Sequence, residues 1–311
     1  MKTLTATYRI VTPMFLGGAN PESQAELRIS SIKGALRFWW RALMWGRVNS
    51  VEELHRWESE LFGSTKAQIG QSRVLIFAEQ PLVEANTEDR KWSPSSWKSY
   101  TGYGLRDKKE RRFLSPGKTF TIHFVFRRCS DEQRSQVLSA AKLLGLAGGL
   151  GGRSRRGWGS VTLTELKGAD WICPDTPVQW QQSMSALIKP GSNLPPYTAF
   201  SPQSQWNCGP VKNDAASAHA WIGERYQLHV KNTQPKSSRA QFGLPRQFKG
   251  NAQPRRDRRA SPLMLHVHQC SNGKALPVAL WLPATFLPTD SGIPGNGDSA
   301  VEFVNKLSTE K

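Results

Sequence analysis

The segment Gly148-Gly149-Leu150-Gly151-Gly152-Arg153-Ser154-Arg155-Arg156-Gly157-Trp158-Gly159-Ser160 constrains the chain most. Six glycines give it backbone conformations that side-chain-bearing residues rarely take and allow close approach of another group. Their N–H groups suit anion-binding nests, and Arg153, Arg155 and Arg156 add planar donors matched to phosphate. What flanks the segment limits it further. Ser130 and Gln133 form a capping box that opens a helix from Asp131 to about Ala147, and residues 161–165 read as a strand. Both the P-loop and the dinucleotide fingerprint need a strand first and a helix after. This helix–loop–strand order excludes them, so no nucleotide cofactor is expected.

Periodicity upstream supplies the rest of a domain. Leu4, Ala6, Tyr8 and Ile10 alternate with Thr3, Thr5, Thr7 and Arg9, as in a half-buried strand. Ile32, Ala35, Leu36, Trp39 and Leu43 recur at helical spacing over 31–47. A second helix is predicted over 51–62, capped by Ser50 and Glu53 and stopped by Gly63. Arg73–Ala78 and Lys118–Phe126 are strands separated by a polar insertion, 80–117. The order β-α-(α)-β-β-α-β over 1–167 is that of a ferredoxin-like fold, shared with RNA-binding RRM domains. Both helices lie on one face of such a sheet and leave the other face free for a partner.

The second half is less legible. Pro177 suits the first position of a helix reaching Ile188, a Pro/Ser/Asn-rich loop spans 189–213, and a helix occupies part of 214–230. The tract 231–260 is basic and turn-rich, and two strands, 263–268 and 276–282, meet at Asn272-Gly273. The expected architecture is α+β, with two tandem ferredoxin-like domains. The second, 168–288, is divergent, and 289–311 is a flexible tail.

Charge names the class of partner. Lys and Arg number 42 against 24 Asp and Glu, a net +18. Such a field draws polyanions through counterion release, which makes nucleic acid the first partner to consider. Mean hydropathy is −0.50. No apolar run is long enough to span a membrane and the first residues carry no secretion signal, so a cytoplasmic protein is expected. Cys129, Cys173, Cys208 and Cys270 form no C-x-x-C pair, which argues against a zinc ribbon.

Gly149-Leu150-Gly151-x5-Gly157-Trp158-Gly159 resembles the glycine-loop signature of the RAMP superfamily of CRISPR-associated proteins, which also lies between the last helix and last strand of a ferredoxin-like domain. Thr12-Pro13 with Gly17-Gly18, Arg28 to Arg41, Leu61-Phe62-Gly63-Ser64 and Arg259 to Leu263 are similar to its type III-B branch. The resemblance implies a non-catalytic subunit at one end of a filament of related subunits. Its partners would be guide RNA, target RNA and other RAMP subunits, including the filament backbone subunit. No metal or cofactor is implied.

The RNA-binding candidates are Gly149, Gly151, Gly152, Arg153, Arg155, Arg156 and Trp158 of the loop, together with Ser31, Lys33, Arg37 and Arg41 along the first helix and Arg258 and Arg259 of the later basic run. Each has a structural alternative. Trp158 either stacks on a base or plugs the edge of the core, and the helical cations either grip phosphate or form a solvated face. The insertion interleaves Arg90, Lys91, Lys98, Arg106, Lys108, Lys109, Arg111 and Arg112 with Trp92, Trp97, Tyr100 and Tyr103, which suits a grip on a single strand, with a mobile solvated loop as the alternative; the resemblance implies that it orders on assembly. Some relatives are metal-independent endoribonucleases that use a histidine near the glycine loop, so guide processing is the enzymatic alternative. None of the six histidines lies in such a motif, and His266 and His268 read as satisfied strand residues.

Overall fold

The computed structural model describes residues 3–18, 20, 22–65, 70–79, 81–87, 92–105, 111–191, 193–244, 259–285 and 297–309. In chain order the elements are β1 (Thr3–Ile10), β2 (Ala25–Glu26), α1 (Ile29–Met44), α2 (Val51–Phe62), β3 (Val74–Ala78), β4 (Val83–Glu84), α3 (Trp97–Thr101), β5 (Thr119–Phe126), α4 (Asp131–Ala147), β6 (Val161–Lys167), α5 (Pro177–Leu187), β7 (Gln205–Cys208), α6 (Ala215–Asn232), β8 (Leu263–Gln269), β9 (Ala275–Trp281) and α7 (Asp298–Lys306). The α+β class is as expected.

The first sheet has the order β3-β5-β1-β6, with every neighbour antiparallel. This is the ferredoxin-like order. Leu4, Ala6, Tyr8 and Ile10 point inward, and Tyr8 donates from its phenol to Ala141 O of α4 at 2.8 Å. The inward faces of α1 and α4 complete this core with Ile32, Leu36, Trp39, Val137 and Leu144. Ser130 and Gln133 form the reciprocal capping box the sequence predicts, both bonds being 3.1 Å. At α2, Ser50 accepts from Glu53 N as expected, but the Glu53 carboxylate reaches Asn49 N instead of Ser50 N.

The second sheet has the order β7-β9-β8, also antiparallel. With α6 between β7 and β8 and α7 after β9, this is the ferredoxin-like order without its fourth strand among the described residues. The β8–β9 turn falls at Asn272-Gly273, where Gly273 has φ 84°. Both faces of β8 and β9 are covered: α6 packs on one and α4 of the first unit on the other. Two-sided burial explains why these strands read as continuous apolar runs instead of alternating ones.

The halves share their interior. One hydrophobic cluster contains Ala6, Leu36 and Leu163 together with Trp180, Phe200, Leu276 and Leu280. Val267 N donates to Ser160 Oγ at 3.1 Å and Gln269 N to Thr162 Oγ1 at 3.0 Å, binding β8 beside β6.

Two expectations are corrected. The tail is not a flexible extension throughout: residues 298–306 form α7, and Ala300, Phe303, Val304 and Leu307 are buried against α6 and the 3₁₀ turn at Lys236–Phe242. Their i, i+3, i+4, i+7 spacing is helical, but it follows a Gly-, Ser- and Asp-rich stretch that masks it. The insertion is also not simply a mobile loop, because α3 and its flanks pack into the molecule. Arg90, Lys91, Arg106, Lys108 and Lys109 lie outside the described residues, as does Arg258.

Candidate nucleic-acid interface

The glycine loop closes on itself. Leu150 N donates to Gly159 O at 2.9 Å, and Gly149 bridges Ser160. The glycines serve close backbone approach to the chain itself. At Gly151, with φ 87°, a Cβ would stand 2.5 Å from Phe15 O; at Gly159, with φ 64°, it would stand 2.0 Å from Leu150 O. Gly152 N donates to Phe15 O at 2.8 Å. Gly151 and Gly152 therefore fit the loop onto the segment after β1, while Gly149 lets the loop close on its own Gly159.

Trp158 is a core residue. It is 1% exposed, stacks on Trp92 at 4.9 Å and on Trp97 at 6.0 Å, and donates from Nε1 to Thr101 Oγ1 at 3.2 Å. This corrects the base-stacking reading and explains the insertion's aromatics. Trp92 and Trp97 enclose Trp158, and Tyr100 packs on Tyr226 of α6. His219 lies edge-on to both Trp97 and Trp158 at 4.7 Å.

Arg155 and Arg156 reach across the joint between the halves, where each donates to a backbone carbonyl of the second half. Arg155 donates from Nη1 to Ser261 O at 2.7 Å and lies over the Phe38 ring at 5.0 Å, while its own carbonyl accepts from Leu265 N at 3.1 Å. Burial first, then Arg156 and Arg259, pull its pKa down to about 10, which leaves it protonated at neutral pH. Arg156 donates to Phe242 O and covers the Tyr226 ring at 4.5 Å. Arg259 is half-buried, donates to Thr285 O at 2.7 Å and pairs its backbone with Leu244. It too belongs to the second unit's framework.

The cation stripe on α1 faces α2. Lys33 Nζ caps the end of α2 at Phe62 O, 2.8 Å away. Burial, then Arg37, lowers its pKa. Arg37 Nε and Arg41 Nη1 both donate to Glu58 Oε1 at 2.6 Å, and Glu58 is buried. All three bind α1 to α2, with the Arg37 and Arg41 side chains still partly in water. Ser31 stands half-buried in the first turn of α1.

Arg153 is different. It is exposed, holds φ 59° at the turn of the loop, donates from Nε to Tyr103 O at 2.6 Å, and sits 5.8 Å over the Tyr103 ring. Tyr103 is 67% exposed. A guanidinium and an open aromatic ring thus stand together at the surface, the combination that grips a phosphate and stacks a base. Sequence reasoning named both residues but not their contact. Their separation of fifty positions is bridged by the packing of α3 against the loop, where Trp97 and Thr101 meet Trp158.

The histidines near the loop are shut in. His219 is 3% exposed, and its ring lies against Gly157. His266 donates from Nδ1 to Gly148 O at 2.8 Å and His268 from Nε2 to Pro174 O at 2.9 Å; both are fully buried. Burial lowers all three pKa values, to about 3 for His219 and His266. Among the described residues no group of His, Cys, Asp and Glu is placed to hold a metal, and no helix is long and apolar enough to cross a membrane.

A ferredoxin-like unit with a glycine loop between its last helix and last strand defines the class. Residues 7–162 match the family model of the RAMP superfamily, and the chain belongs to that superfamily. Within it, the chain is similar to the subunits of type III-B CRISPR effectors. It is 30% identical over 180 residues to "CRISPR system Cmr subunit Cmr1-2" of Pyrococcus furiosus, covering 50% of this chain and 92% of the relative. It is 26% identical over 290 residues to Cmr1-1 of the same organism, covering 85% and 82%. In fold it is similar to the apo crystal structure of Cmr1 from Pyrococcus furiosus, with TM-score 0.65 and 23% identity, covering 99% of this chain and 97% of that one. A chain in the cryo-EM structure of a type III-B Cmr-beta complex bound to cognate target RNA and AMPPnP, in the presence of ssDNA, matches with TM-score 0.65 and 13% identity, covering 98% of each chain.

Proposed function

We propose that this chain is a non-catalytic, RNA-engaging subunit of a type III-B CRISPR effector complex in the cytoplasm. It caps one end of a filament of RAMP subunits and helps the complex engage guide and target RNA. The exposed Arg153–Tyr103 pair carries this reading, set at the head of the glycine loop on a chain of net charge +18. The similarity to Cmr1 subunits, and to a chain of a Cmr-beta complex bound to target RNA, supports the assignment to that assembly. The sealed position of His219, the histidine against the loop, supports a binding role over RNA cleavage.

Fluorescence anisotropy with single-stranded RNA in EDTA tests the proposal. The protein binds with steep salt dependence and leaves the RNA intact, and Arg153→Ala combined with Tyr103→Ala weakens binding about tenfold, as expected for one lost stacking and phosphate contact. Equal affinity of the double variant, or cleavage of the RNA that a His219→Ala change abolishes, overturns the reading.

A further inference from the structure

Among the described residues, the outward face of the first sheet over β3, β5 and β1 is half-buried to exposed, with Thr3, Thr119 and Phe77 open. Helices α1 and α4 occupy the opposite face. The outward positions are Thr3, Thr5, Thr7 and Arg9 on β1, Thr119, Thr121, His123 and Val125 on β5, and Leu75 and Phe77 on β3. Neighbouring strands hold these side chains in place. Thr5 Oγ1 bonds His123 Nδ1 at 3.1 Å, and Thr7 bonds Thr121 at 3.3 Å. Phe77 is 46% exposed and stacks on His123 with centroids 4.9 Å apart and planes 21° from parallel. A flat, prestacked aromatic pair therefore stands on a hydroxyl-lined sheet.

Arg9 is the one charged residue of the three strands, and arginines follow at the end of β5. The three strands contain no carboxylate. Arg73 precedes β3 and lies beside Arg127, whose N–H donates to Arg73 O at 2.8 Å; Arg128 follows. Arg127 and Arg128 are exposed. Of the nearby acids, Glu165 is ion-paired with Lys167 at 3.6 Å, and Glu79 lies at the other end of β3. The arginine end is also remote from the glycine loop, because β6 leaves that loop beside Ile10 whereas Arg127 and Arg128 flank the Thr3 end of β1. Eight strand residues at ~3.3 Å each put about 25 Å between the two ends.

We propose that this face is a second single-stranded RNA surface. A base stacks on the Phe77–His123 pair and phosphates lie against Arg127 and Arg128. Stacking reads no sequence and the arginines read only backbone, so the surface accepts any single strand. The inference rests on the proposed function in requiring an RNA ligand, but it uses none of the glycine-loop residues.

The test is anisotropy of the full chain with a fluorescent oligouridine, across a salt series. Phe77→Ala weakens binding about fivefold or more, in line with the loss of one stacked base, while Phe77→Tyr retains affinity. Arg127→Gln with Arg128→Asn (asparagine suits the φ of 51° at position 128) reduces the slope of log affinity against log salt by about 1.4, the value for two phosphates of a single strand. Wild-type affinity and slope in these variants, alongside weakened binding in the Arg153/Tyr103 variant, overturn this surface and leave the proposed function standing. Absence of RNA binding by the unaltered protein overturns both.

Discussion

Glu58 shows how burial changes the meaning of a charged stripe. One carboxylate oxygen serves both Arg37 and Arg41. Glu58→Ala leaves two guanidiniums without their shared acceptor. Both arginines are partly in water, which trims the loss to about 1–2 kcal/mol. A lowered urea midpoint at unchanged m reports it. The buried histidines give a pH signature. His219 and His266 have folded pKa values of about 3, against an unperturbed value near 6.5. Above pH ~6.5 both folded and unfolded states hold them neutral. As pH falls below that, only the unfolded chain binds the protons, so stability drops toward pH 3 by up to about 1.4 kcal/mol per pH unit for each histidine. Urea titrations between pH 7 and pH 4 measure the slope, and His266→Gln lessens it. A slope indistinguishable from that of the variant refutes the assignment.

At the scale of elements, α3 and its flanks are a strap between the halves. Gln227 Nε2 donates to Ser95 O at 3.0 Å, Trp97 lies where a Cβ on Gly223 would stand, and Trp158 is bonded to Thr101. Amides of 97–102 are therefore protected from hydrogen exchange in the isolated protein. Trp97→Ala, which opens a cavity beside Trp158, costs about 3–5 kcal/mol in denaturant titrations. Exchange at the rate of an open chain contradicts the strap. The sequence revealed much of the first unit because its strands are covered on one side, so alternation was visible in 3–10 and 118–126. It revealed less where burial is two-sided or where segments are short. β7 passed for loop within 189–213, and α7 hid behind a glycine-rich approach. The glycine loop was found by composition, but the direction of its arginines was not. Arg153 points out and Arg155 and Arg156 point in because of partners, Tyr103, Ser261 and Phe242, that lie 50 to 106 positions away.

At the scale of the whole molecule, a shared core joins the two sheets, and the glycine loop is the latch where they meet. Leu265 is hydrogen-bonded to the loop's Arg155, and His266 to Gly148. Heating in a calorimeter consequently gives one cooperative transition, with calorimetric and van't Hoff enthalpies in agreement. Two resolved transitions would mean that the halves hold themselves independently. On the proposed function, the exposed outer corner of the loop at Arg153 faces RNA, while its inner side serves the joint. Ultraviolet cross-linking of thiouridine-bearing RNA to the assembled effector, read by mass spectrometry, examines that division most directly. Cross-links are expected at Tyr103 and its neighbours and none at Trp158, while cross-links centred on Trp158, or the absence of any from this chain, would contradict it.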